Sequence, residues 1–203
     1  MVEGPDAGRA LARVTAFSDG VFAIAITLLV LTIDVPNLTR SEQHRLGQVL
    51  LDQWHVYFAF FLSFVVIARF WLVHHRLFLR VTRLDDRAMV LNFAYLASVV
   101  LIPFSTNVLG NYPKQRPAVL MYALVVGATT LFAWLLVHHA LTAGLLRESD
   151  RLETRRQADR VALLRPGLFM ASVPVAFVST AAAEVLWVVS LLVRRRLPLR
   201  RTR

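Results

Sequence analysis

The sequence predicts an all-α integral membrane protein in which a single domain, residues 1–203, crosses the bilayer six times. Composition, run length and arginine placement carry this expectation. The 203 residues are 57% hydrophobic, only 18% charged and have a mean hydropathy of +0.56, more apolar than a soluble domain requires. Uncharged or nearly uncharged runs recur, each near the ~20 residues that cross a hydrocarbon core. Arginines collect on alternate sides of those runs, as the positive-inside bias demands. The chain has no cysteine, which excludes disulfides, thiol catalysis and cysteine metal sites.

The first expected span covers residues 14–33. It follows Arg13, contains Asp19 and has no small-residue cleavage site behind it, so it is expected to stay in the mature protein rather than be removed as a leader. The second, third and fourth spans are expected at 54–73, 88–108 and 118–140. Arg69, about one turn from the end of the second, can snorkel to the interface. Pro103 in the third removes a backbone bond and predicts a kink.

Residues 147–160 mix both charge signs at helical spacing and read as a solvated helical extension. The apolar block 166–193 fits either one steep span or two short ones, and charge decides between them. With both termini cytoplasmic and spans at 166–179 and 182–193, only Arg40, Arg45, Lys114 and Arg116 fall on the outer side. A single final span would put the six arginines from Arg194 onward outside, against the bias. The same topology explains the net charge of +10 without nucleic acid as a partner.

One internal echo joins the ends of two spans: Trp71 precedes His74 and His75, and Trp134 precedes His138 and His139. A parallel repeat and the interfacial preference of Trp and His explain it equally well.

The polar group Arg13, Phe17, Ser18 and Asp19 opens directly into residues 20–33, which carry no charge. Charged groups at the lip of a span are costly, so they pair with something or line a path. Beyond them Ile24, Leu28 and Leu31 share one helix face, with Thr27 beside them. Followed outward by three residues, that face reaches Asp34; followed inward, it reaches Gly20 and Phe17. Several copies of such a helix around an axis would make a path from a polar inner mouth, through aliphatic rings, to an acidic outer mouth. Such a path suits cations. A narrow aliphatic ring without oxygen ligands favours potassium over sodium through dehydration cost and gates by dewetting, with modest selectivity.

Arg13, Phe17-Ser18-Asp19 and the following residues 20–27 resemble the signature of the endosomal and lysosomal potassium-channel family, the transmembrane protein 175 type, and in particular its short prokaryotic members. The resemblance continues through residues 70–76, Asn92 and residues 103–106. It implies a homotetramer of six-span subunits in a prokaryotic plasma membrane, with first helices lining a central pore. Potassium ions, the lipid bilayer and further copies of the chain are the partners it implies, without a cofactor. Carried over residue by residue, the hydrophobic constriction falls on Ile24, Leu28 and Leu31, with Thr27 as a polar layer. Arg13, Phe17, Ser18 and Asp19 would hold the cytoplasmic end of the pore helix through Trp71, Asn92 and one of the adjacent His74 and His75. The break between the last two spans lacks a proline expected from relatives.

Neighbouring histidines on a helix point about 100° apart, and no third ligand stands at metal spacing, so hydrogen bonding at the interface and acid modulation are the expectations for His74 and His75. No Walker motif, nucleophile elbow or paired carboxylate supports an enzyme. The alternative class is a proton-coupled or proton-conducting transporter, for which Glu184 and the Pro174 kink are the candidates. A purely structural membrane protein, the third class, predicts no flux.

Overall fold

A computed structural model describes residues 5–150 of the protein, with side chains from residue 8 onward. The expected fifth and sixth spans at 166–179 and 182–193, with Pro174, Glu184 and the carboxy terminus, lie outside the described residues, as does most of the 147–160 segment.

Six α-helices follow in order: α1 (Pro5–Leu28), α2 (Leu46–Asp52), α3 (Trp54–Phe78), α4 (Asp86–Val100), α5 (Ile102–Asn111) and α6 (Arg116–Thr142). Among the described residues, four stretches are long and apolar enough to cross a membrane: Gly8–Thr32, Trp54–Phe78, Asp86–Asn111 and Arg116–Thr142. Each has 25 to 27 residues, about 40 Å at 1.5 Å per residue, which exceeds the hydrocarbon thickness and carries the ends into the headgroup layers.

The first helix begins before residue 14, at Pro5, and its final turn from Leu29 to Thr32 tightens into a 3-10 helix. Ile33 then becomes extended, and Pro36 cannot continue a helix. Asp34 therefore stands beyond the helix end, exposed in an extended segment. The i+3 step that aligned it with Leu31 does not apply, because that step assumed a helix through residue 34.

The third span is two helices rather than one. Pro103, near the start of α5, has no N–H to offer Val99, and the helix breaks at Leu101 before resuming. Asp85 caps α4 by accepting the Ala88 N–H at 2.7 Å. At the far end of α6, Gly144 takes a left-handed φ of +66°, and the Leu145 N–H bonds back to the Ala140 carbonyl. That reversal brings Leu146 into an isolated antiparallel bridge with Val81 in the link between α3 and α4.

α4 packs chiefly on α6, α3 on α5, and α1 on both α3 and α4. The core between them is aliphatic, with Leu29, Ile67, Val99, Ile102, Val119 and Val126 all fully buried. Gly110 permits the tightest approach: a Cβ built there would lie 3.1 Å from the Val56 Cα.

Candidate functional site

α1 has two unlike faces. Ser18, Phe22, Ala25, Leu29 and Thr32 are buried against the bundle, spaced by alternating steps of four and three. Rotated away from them, Phe17, Gly20, Ile24, Thr27, Leu28 and Leu31 are exposed, Ile24 at 61% and Leu31 at 70%. No described element covers this second face. Because residues 29–32 form a 3-10 turn, residues three apart eclipse, which stacks Leu31 nearly above Leu28. Thr27 Oγ1 donates to the carbonyls of Ala23 and Ile24 at 3.0 and 2.9 Å. With its proton engaged by the backbone, the hydroxyl is left as an acceptor on the exposed side.

The buried face is tied down at the Ser18 end. Ser18 Oγ donates to the Val14 carbonyl at 2.8 Å and accepts from Asn92 Nδ2 at 3.1 Å. Asn92 Oδ1 lies 2.9 Å from His74 Nε2. With the Asn92 amide assigned by these bonds, its oxygen can only accept, so His74 Nε2 carries the proton. Protons thus point one way along the chain, from His74 through Asn92 and Ser18 to the α1 backbone. His74 Nδ1 has no hydrogen-bond partner, and its ring stacks on Phe78 at 4.1 Å. Beside this chain, Trp71 Nε1 donates to Asp19 Oδ1 at 2.9 Å while its indole stacks on His75 at 5.0 Å.

Of the adjacent histidines, His74 makes the hydrogen bond to Asn92, and His75 only supports Trp71. Two motif residues stand apart from the anchor. Phe17 meets Phe93 edge-on at 5.9 Å. Arg13 is exposed and forms no ion pair with the described residues. Arg13 lies one heptad before Gly20, on the uncovered side of α1.

Sequence reasoning missed two further polar groups. Ser63, Thr106 and Tyr122 come from three different helices and form a buried hydroxyl cluster. Thr106 Oγ1 donates to Ser63 Oγ at 2.7 Å, and Ser63 lies 3.1 Å from the Tyr122 hydroxyl. The available signal was one hydroxyl-bearing side chain in each of three apolar runs. The second group is His139 Nε2, which sits 2.9 Å from both carboxylate oxygens of Asp85. Burial pushes the Asp85 carboxyl up, but the Ala88 N–H and His139 together outweigh this and leave it below the ordinary value. Among the described residues no group of three potential metal ligands occurs.

A family model described as the endosomal/lysosomal potassium channel TMEM175 matches residues 13–103, the segment that holds both faces of α1 and its anchors. A potassium channel of Chamaesiphon minutus is 39% identical over 184 residues, covering 88% of this chain and 90% of that one. The chain belongs to the TMEM175 family. A potassium channel of Streptomyces collinus is 41% identical over 138 residues, 66% of either chain. The crystal structure of a lysosomal potassium-selective channel TMEM175 homolog, also from Chamaesiphon minutus, superposes with a TM-score of 0.81 at 35% identity. That match covers 90% of this chain and 95% of the other. TMEM175 membership makes the protein a multi-pass membrane channel of potassium-channel type and not an enzyme.

Proposed function

We propose that the protein is a potassium-permeable leak channel of a prokaryotic plasma membrane. Four six-span subunits with cytoplasmic termini surround one pore, lined by the four copies of α1. Ile24, Leu28 and Leu31 form its hydrophobic constriction, Thr27 contributes a ring of hydroxyl oxygens, and Asp34 draws cations to the outer mouth. Arg13, Phe17, Ser18 and Asp19 stand at the cytoplasmic mouth. Ser18 and Asp19 fix the helix there through Asn92, His74 and Trp71, and His75 backs Trp71.

The observation that best supports this reading is the division of α1 into a locked face and an uncovered aliphatic one. In the lipid alternative the uncovered face would be ordinary surface, with no reason for the other side of the helix to accept two hydrogen bonds from neighbouring helices, Trp71 to Asp19 and Asn92 to Ser18, that set its rotation. A dry aliphatic ring raises the cost of shedding water, and potassium sheds it at lower cost than sodium, so a moderate potassium preference follows.

Purified protein in liposomes should collapse an imposed potassium gradient faster than a carrier could. Leu28→Ala and Leu31→Ala should change conductance or the potassium-to-sodium ratio. Unaltered conductance and selectivity in Ile24, Leu28 and Leu31 variants alike would move the conduction path off α1. A monomer by mass measurement would end the shared-pore reading.

A further inference from the structure

At the end of the bundle away from Ser18, three spanning helices stop at one level: α3 begins at Trp54, α5 ends at Asn111 and α6 begins at Arg116. A cleft of about 450 Å³ opens between them, lined by Asp52, Gln53, His55, Asn111, Lys114 and Gln115 among others. The ends of spanning helices lie where hydrocarbon gives way to headgroups. The exposed rings of Trp54 and Tyr112 beside the cleft match the aromatic belt of that layer.

The lining carries both charge signs. Lys114, the only lysine in the chain, supplies a mobile ammonium, and Asp52 supplies a carboxylate. Gln53 Oε1 is shielded from solvent and has no hydrogen-bond partner. A shielded acceptor of this kind is stabilised by a donor brought to it.

We propose that this cleft binds the headgroup of a phospholipid bearing both a phosphate and a primary ammonium, the phosphoethanolamine class. Lys114 takes the phosphate, while the ammonium donates to the Asp52 carboxylate and, with the Gln53 side chain turned toward the cleft, to Gln53 Oε1. A choline headgroup has no N–H to give either acceptor. A glycerol headgroup has no cation and would bring net negative charge to Asp52. The cleft therefore selects by hydrogen-bond donation as well as by charge. This inference rests on the multi-pass membrane placement and is independent of which helix lines the pore.

Native mass spectrometry of the purified full chain, in micelles doped equally with phosphatidylethanolamine, phosphatidylcholine and phosphatidylglycerol, tests the assignment. Phosphatidylethanolamine should be retained about tenfold over the other two, the ratio expected of one added charge-assisted hydrogen bond. Lys114→Ala should weaken retention of all three lipids, because each carries the phosphate, and Lys114→Arg should keep it. Asp52→Asn with Gln53→Leu should bring the phosphatidylethanolamine-to-phosphatidylcholine ratio close to one. Glycerophosphoethanolamine, which has the headgroup without acyl chains, should bind at least tenfold more weakly, roughly, because buried methylenes add to lipid binding. Equal retention of the three lipids, full retention in Lys114→Ala, or equally tight binding of the chain-free compound would overturn the proposal.

Discussion

Replacing Asn92 by Leu keeps the branching of the side chain, with bulkier methyls in place of the amide oxygen and nitrogen, and removes the central member of the chain that joins His74 to α1. The side chain is fully buried and makes two bonds, donating to Ser18 at 3.1 Å and accepting from His74 at 2.9 Å. The two losses are unequal. Ser18 still donates to the Val14 carbonyl and forgoes only an acceptor role, a loss of about 0.5–1 kcal/mol. The His74 Nε2–H is left buried with no partner, a cost of about 1–3 kcal/mol. Hydrogen bonds inside membranes fall toward the lower end of such ranges, so the sum is about 1.5–2.5 kcal/mol. Thermal unfolding in detergent, followed by tryptophan fluorescence, should register this as a clear fall in Tm. A double-mutant cycle with Ser18→Ala should show coupling of roughly 0.5–1 kcal/mol, because the two side chains share one bond. Asn92→Leu with wild-type stability, or strictly additive Ser18 and Asn92 substitutions, would refute the directional chain.

Three further outcomes follow from the geometry. Thr27→Val keeps the shape of the side chain and removes the exposed hydroxyl oxygen, which makes the path drier, so it should lower potassium conductance in planar bilayers without lowering the potassium-to-sodium permeability ratio. It should shift stability by no more than about 0.5 kcal/mol, as exposed sites do. Gly110→Ala forces a methyl to within 3.1 Å of the Val56 Cα. That neighbour is backbone and cannot rotate aside, so a stability loss of about 1–3 kcal/mol is expected in the same unfolding assay. Asp85→Ala removes the α4 cap and should cost about 0.5–2 kcal/mol at neutral pH. Because the Asp85 carboxyl lies below the ordinary value of 3.8 in the folded protein, its charge contributes above that value. The contribution fades as pH falls through the lowered native value, so the difference between Asp85→Asn and wild type should vanish in acid.

Much of this architecture can be read from residue order because membrane spans obey a simple rule. A helix must satisfy its own backbone in hydrocarbon, so long apolar runs translate directly into helices. The two faces of α1 were legible for a related reason: steps of three and four place Ile24, Leu28 and Leu31 together whatever lies around them. What was not legible has a different cause. The alignment of Asp34 with Leu31 on one helix face extended a local pattern, and local pattern does not encode where a helix ends or which neighbour a face meets. The pairs His139 with Asp85 and Ser63 with Tyr122 are 54 and 59 residues apart, and only the packing of α3, α4 and α6 brings them together. The Pro103 break was expected from one residue, but the position of α5 behind the 3-10 turn of α1 depends on the whole bundle.

The first helix is riveted at one end and merely nested at the other. Around Ser18 the helices are joined by the Trp71, Asn92 and His74 bonds, by His139 on Asp85, and by the Val81–Leu146 bridge. Around Leu31, the end of α1 rests on α3 and α5 through apolar contact, and the Thr32 hydroxyl bonds only within its own turn. Such a helix behaves as a cantilever, with thermal displacement growing from its clamped root toward its free tip. Backbone amide exchange along α1 should therefore quicken steadily from Ser18 to Leu31. In the proposed pore, a ring of Leu31 side chains would fluctuate in width more than a ring at Ile24, a breathing rim beyond a rigid throat.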